Sequence, residues 1–301
     1  MTVGSQPAVQ EAQEVQEVQE RRVRFSDGSS TELRLIPADE SGGRVVLCLP
    51  AMGVSATYYE ILGDTLADAG FNVAMVDYRG AGGSSVRPSR HVSFGYAEIL
   101  ELELPAIVDE VCAEFGIDQL IIVGHSLGGQ LGLLFAASSP RVSQVVLIAS
   151  GSVWYRTASG MGSVNRFFGL HLMFATAAVW GYLPQWFPFA GREARRVTFD
   201  FVFEGLTGRY RVSRSRVDYE RMLAESTTPA LFVVFPDDPL MPAAGSNHLA
   251  AKLVRTKVER RKIGPQQFRL ARTDHFRWAL RPQAIADAMT EWLESEKRNG
   301  S

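Results

Sequence analysis

The sequence predicts an α/β architecture: a mostly parallel, doubly wound sheet with a mainly helical insertion. Three observations carry the prediction. Short apolar runs alternate with helical segments along most of the chain, an order that belongs to a parallel sheet covered by helices on both faces. The runs RVVLCLP, QLIIVGHS, VSQVVLIAS and PALFVVFP are almost continuously apolar, as strands buried on both faces must be. The rhythm then breaks between residues 151 and 218, where aromatics, glycines and arginines replace it.

The elements follow in order. VRF near Val23 and ELRLI near Leu33 read as a hairpin turning at Ser26-Asp27-Gly28. Residues 44–50 form the first buried strand. Residues 58–69 read as a helix that Gly70 closes. FNVAMVDY is the next strand, and residues 96–115 are helical, bent near Pro105. The strand QLIIVGHS leads into a helix over 127–138, and VSQVVLIAS follows as a fourth buried strand. After the break, PALFVVFP resumes the sheet, 243–253 is helical, TKVERRKI is a candidate last strand and 282–297 a final amphipathic helix. The domain reading is therefore an N-terminal arm over 1–22, core over 23–150, a lid or cap over 151–218, and core again over 219–301.

Composition narrows the function classes. The 301 residues carry 31 basic and 33 acidic side chains, a net charge of −2, so nothing calls for nucleic acid as a partner. Cys48 and Cys112 lie far apart in apolar contexts and read as buried thiols of a reducing, cytoplasmic compartment. The start of the chain has no apolar run behind a basic segment, so no signal peptide is expected. Its QEVQEVQE stretch is too polar for a core and predicts a disordered or frayed helical arm. Residues 167–190 lack Asp, Glu, Lys and Arg and are long enough to span a bilayer. Gly169, Gly181, Pro184 and Pro188 interrupt them, which favours an apolar cap over a pocket; stable membrane insertion is not expected.

The motif with chemistry is Gly124-His125-Ser126-Leu127-Gly128, a G-x-S-x-G placed between a buried strand and a helix. A turn that sharp strains its central residue, and the two glycines remove side chains that would collide. It lifts the serine hydroxyl above the sheet edge, over the helix N-terminus, whose free N–H groups favour developing negative charge. The plain alternative is a solvated serine in an ordinary glycine-rich turn.

In these residues the chain resembles the α/β-hydrolase family over roughly 23–297, the cap apart. It is also similar to a subgroup of bacterial hydrolases through PAMGVSATYY, VDYRGAGGSS and TDHFRW. The resemblance implies a Ser-Asp-His order along the chain and an acyl-enzyme. Of the five histidines, His275 in ARTDHFRWAL stands where the family places its base; His91, His125, His171 and His248 do not. The acid should follow the strand 230–235, where FVVFPDDPLMP offers Asp237 and Asp238. The register with Pro242 favours Asp238, although Pro236 stands where the family usually has glycine. The oxyanion hole implied is the N–H of Leu127 and that of Met52, the latter from Pro50-Ala51-Met52-Gly53 in place of the common His-Gly-x-Gly. One such donor is worth about 2.7–4 kcal/mol in the transition state.

No metal or organic cofactor is expected, since the chain has no HExxH, no Cys/His cluster and no GxGxxG. The aromatics of the insertion, with Trp154, Trp180 and Trp186 as candidate substrate contacts, predict a hydrophobic acyl substrate. The arginines from Arg192 to Arg216 read as a solvated helix face, or else as a clamp for an acidic substrate or lipid surface. The expected partner is thus a small-molecule acyl substrate, with self-association into a homo-oligomer left open. Two other functions compete with the serine hydrolase: an acyltransferase on the same site, and a non-catalytic binding protein that keeps the fold.

Overall fold

A computed structural model describes residues 18–38 and 43–300. The predicted arm falls mostly on residues 1–17, outside the described residues. It ends earlier than residue 22, because Gln19–Arg24 is already strand β1, antiparallel to β2 (Ser30–Ile36). The charged QERRVR reads poorly as a strand, but as an edge strand it needs only one partner and leaves its charges in water.

The core strands follow. They are β3 (Val45–Leu49), β4 (Asn72–Val76), β5 (Leu120–His125) and β6 (Val142–Ile148). Between β3 and β4 lies α1 (Glu60–Asp68), preceded by a 3-10 turn at Ala56–Tyr59. Between β4 and β5 run α2 (Tyr96–Glu98), a π turn at Ile99–Glu103 and α3 (Leu104–Phe115). The expected bend near Pro105 takes the form of that π turn, since the proline has no N–H for the preceding turn. Helix α4 (Leu127–Ala136) joins β5 to β6.

The segment after β6 holds α5 (Met161–Trp180), two short strands β7 (Tyr182–Leu183) and β8 (Glu193–Ala194) that pair with each other, α6 (Arg195–Thr207) and α7 (Tyr219–Glu225). Helix α5 stops at Trp180, where Gly181 takes the left-handed conformation (φ 83°). Among the described residues no helix is long and apolar enough to cross a membrane. The chain closes with β9 (Ala230–Val234), α8 (Ala243–Ala250), β10 (Val258–Lys262) and α9 (Gln283–Gly300).

The eight-stranded sheet has the order β1-β2-β4-β3-β5-β6-β9-β10. From β4 to β10 every neighbouring pair is parallel, and β2 joins β4 antiparallel. Alternation along each strand feeds two cores. Val45, Leu47 and Leu49 of β3 pack with α3, α4, α5 and α6, while Val46 and Cys48 face α1 and α9. Both cysteines are free and buried, and burial pushes the Cys48 thiol up to about 12.

Candidate functional site

Strand β5 ends at the middle of the sheet, paired with β3 on one side and β6 on the other. Ser126 follows with φ 52° and ψ −115°, a conformation that a non-glycine residue holds only where its surroundings impose it. Those surroundings are visible. The Ser126 N–H donates to Ile148 O at 2.9 Å, and its carbonyl accepts from Gly129 N–H at 3.1 Å and from Ser150 Oγ at 2.7 Å. A Cβ on Gly124 would lie 2.4 Å from Gly129 N, and one on Gly128 would lie 2.2 Å from Leu49 O. Only glycines let β3, β5 and α4 approach this closely.

The chain after β9 turns at once. Asp237 points to solvent; Asp238 is buried. Its Oδ1 accepts the N–H groups of Leu240 (2.9 Å) and Met241 (3.1 Å), and its Oδ2 lies 2.7 Å from His275 Nδ1. Of the two carboxylates left open by the sequence, Asp238 is therefore the one that meets His275. His275 is itself buried, in the loop between β10 and α9. Its carbonyl accepts from Trp278 Nε1 at 3.0 Å, and Trp278 is fully buried, so the loop is pinned just after the imidazole.

Ser126 and His275 line one cavity of about 660 Å³, together with Met52, Leu127, Met173 and Phe276. Leu127 is the first residue of α4, so its N–H has no partner within the helix. The N–H of Met52 likewise has no acceptor among the described residues, whereas that of its neighbour Ala51 is taken by Tyr59 Oη at 3.0 Å. Two residues whose N–H groups are not bonded within the described backbone thus line the same cavity as the serine.

The tryptophan expectation needs correction. Trp154, Trp180 and Trp186 do not line this cavity. Trp154 packs at a tilt against His248 with ring centroids 4.9 Å apart, and the exposed Trp180 and Trp186 meet each other edge to face at 6.0 Å. Phe187, Phe189 and Phe201 supply the aromatic wall instead. Aromatic density identified the segment, but not which rings turn inward.

Three residues escaped the sequence reading. Tyr59 Oη bridges Ala51 N–H and His125 Nδ1, the latter at 2.7 Å. His125 is buried, its ring centroid 4.8 Å from that of His275. Burial holds its imidazole well below the usual histidine range, and the neighbouring His275 adds to the effect, so His125 is neutral. Asp77 accepts Ala56 N–H at 2.7 Å and Gly83 N–H at 3.0 Å, tying together the loops after β3 and β4. Glu193 contacts the N–H of Gly53, beside Met52, and burial pushes its carboxyl up to about 8. Tyr59, Asp77 and Glu193 meet their partners across loops that are distant in sequence or irregular, so no spacing marks such contacts in advance. The remaining histidines lie elsewhere: His91 and His171 are exposed and His248 is on α8. Among the described residues no group of three or more His, Cys, Asp or Glu side chains is placed to hold a metal ion.

A mostly parallel eight-stranded sheet with a strained serine between a central strand and its helix defines an α/β-hydrolase-fold protein. A family model described as the alpha/beta hydrolase fold matches residues 44–188, and the chain has that fold. Lipase member N of Mus musculus is 33% identical over 89 residues, which are 28% of this chain and 22% of the lipase. The chain thus spans about a fifth of that relative's length. RutD of Serratia proteamaculans, a protein named for carbamate hydrolysis, is 24% identical over 231 residues, covering 71% of this chain and 82% of RutD. An esterase of Pyrococcus furiosus superposes with a TM-score of 0.61 at 16% identity, over 93% of this chain and 91% of the esterase.

Proposed function

We propose that the protein is a serine hydrolase that cleaves an ester, thioester or amide of a hydrophobic acyl substrate through an acyl-enzyme. The observation that carries this reading is the 2.7 Å bond between Asp238 and His275, buried beside the cavity that Ser126 also lines. A serine hydroxyl is inert at neutral pH unless a base takes its proton. Asp238 Oδ2 accepts from His275 Nδ1–H, which leaves Nε2 unprotonated and able to act as that base. As Ser126 Oγ attacks the carbonyl carbon, its proton passes to Nε2, and the Leu127 and Met52 N–H groups receive the developing oxyanion. The same proton then goes to the leaving group. Water, deprotonated by His275, attacks the acyl-enzyme and releases the acid and Ser126.

The cavity wall of Leu170, Met173, Phe187 and Phe201 favours an alkyl or aromatic acyl group. Arg166 borders it but is engaged, donating to Leu240 O at 2.9 Å and to Thr157 Oγ1 at 3.2 Å, so it is not free to pair with a substrate carboxylate. Residues 151–218 serve in this reading as the cap. A fluorophosphonate probe tests it: wild type is labelled and Ser126→Ala is not. Absence of labelling together with no turnover of p-nitrophenyl esters of any chain length overturns the reading.

A further inference from the structure

Helix α5 has an outer face that nothing covers. Met161, Val164, Phe168, Leu172 and Val179 recur at intervals of three, four, four and seven residues, which keeps all five on one side of the helix. Met161, Phe168 and Val179 are 70%, 65% and 74% exposed. The one charged residue of this 20-residue helix, Arg166, is turned toward the cavity wall and held there by Thr157 and Leu240. The stripe runs about 27 Å at 1.5 Å per residue. A contiguous apolar stripe of this length on a soluble surface marks an interaction site.

Beside the helix, the loop between α6 and α7 carries Arg209, Arg211, Arg214 and Arg216, all exposed. They line a groove of about 920 Å³ whose wall includes Phe174 of α5, stacked on Phe199 at 4.4 Å. None of the four makes an ion pair among the described residues, and the acids that share the groove are engaged. Asp200 accepts the N–H groups of Tyr96 (2.9 Å) and Ser213 (2.8 Å). Glu220 takes Tyr210 N–H at 2.7 Å and Lys252 Nζ at 2.8 Å, and Asp218 caps α7. The same bonds hold the loop backbone to the body of the protein while its guanidinium groups project outward. Of the arginines expected to form a helix face or else a clamp for an acidic substrate or lipid surface, Arg195 and Arg196 open α6, whereas Arg209 to Arg216 lie on this loop.

We propose that the α5 stripe and the four arginines form one surface that docks on an anionic lipid bilayer. Helix α5 then lies in the headgroup plane with its apolar face in the acyl boundary, as interfacial helices do. The arginines supply the anion attraction that apolar burial lacks. A second copy of the chain is the poorer occupant, because a two-fold contact through this surface would bury the arginines of both copies while the acids beside them, Asp200, Asp218 and Glu220, are already bonded. The proposal does not depend on the reaction at Ser126, although α5 also contributes Leu170, Met173 and, from the edge of the stripe, Leu172 to the cavity.

The test is co-flotation of the full chain with vesicles of phosphatidylcholine, with and without phosphatidylglycerol, with free protein mass measured in parallel. Recruitment should require phosphatidylglycerol and weaken as salt rises. The pair Arg211→Glu and Arg214→Glu should cut binding about tenfold or more. The pair Phe168→Ser and Val179→Ser should abolish it, and both should leave the melting temperature and ester turnover unchanged. Equal recruitment to both vesicles, no recruitment to either, or variants that bind like wild type overturn the proposal. So does a dimer of the free protein that Phe168→Ser with Val179→Ser dissociates.

Discussion

Tyr59 and His125 are joined by a 2.7 Å hydrogen bond, and through the same oxygen Tyr59 holds the backbone of Ala51 at 3.0 Å. The hydroxyl accepts from the amide and shares a hydrogen bond with the imidazole, so one buried oxygen links the elbow to the loop that carries Met52. Replacing Tyr59 with Phe leaves both Ala51 N–H and His125 Nδ1 without a partner, and a buried polar group so orphaned costs about 1–3 kcal/mol. Tyr59→Phe is expected to lower kcat about tenfold while KM changes little, because the Met52 N–H meets charge only as the oxyanion forms. Steady-state kinetics of an ester substrate checks this; a change confined to KM would count against a role in placing the loop.

Asp238 and Asp237 are separated by the same kind of experiment. Asn at 238 keeps the shape but favours the wrong imidazole tautomer, so Asp238→Asn is expected to lower kcat on the order of 10⁴-fold, the size of loss seen for such a carboxylate elsewhere. Asp237, exposed and without a bond to His275, should tolerate Asn with full activity. Comparable losses in both variants would reopen the register.

Asp238 was legible in the sequence and the cavity wall was not, for reasons that differ in kind. The preference for Asp238 over Asp237 comes from the resemblance to the α/β-hydrolase family, through a carboxylate soon after a strand and a proline four residues on, here Pro242. The buried strands are legible because burial on both faces demands unbroken apolar runs, as in VVLCL. The wall is different. Phe187 and Trp186 are chain neighbours, yet one lines the cavity and the other is 63% exposed, since the backbone path through Pro184 and Pro188 decides which ring turns inward. Strands β7 and β8 were missed for the same reason, being two residues each. Tyr59 is invisible to motif reading because its partners lie at the ends of other strands.

Glu204 makes stability depend on pH. It is buried on α6, where Ser152 Oγ donates to it and Val153 N–H lies 2.9 Å from its Oε2. Burial outweighs these bonds and pushes the carboxyl from 4.5 up to about 7. Below 4.5 the group is protonated in both folded and unfolded chains and costs nothing. As pH rises from 4.5 toward about 7 the unfolded chain releases its proton first, so stability falls, by up to about 3 kcal/mol. Glu204→Gln, fixed in the neutral form, should lose less stability than wild type between the two ends of that window. Urea midpoints at each end measure the difference, and parallel curves for the two proteins would refute it.

The glycines provide an opposed pair. A Cβ at Gly128 would stand 2.2 Å from Leu49 O and 2.6 Å from Pro50 O, both backbone atoms that cannot swing aside. Gly128→Ala must therefore push α4 away from β3, at a cost of about 1–3 kcal/mol. That movement also shifts Leu127 N–H relative to Met52 N–H, so turnover should fall with stability. Gly169 lies inside α5 with nothing within 4 Å of its missing Cβ. Gly169→Ala should therefore stabilise the helix by roughly 0.5–1 kcal/mol, through the backbone freedom that alanine removes from the unfolded chain. Thermal denaturation of the two variants should move in opposite directions from wild type. If Gly128→Ala melts unchanged, the close contact of the elbow with the end of β3 is not what requires glycine there.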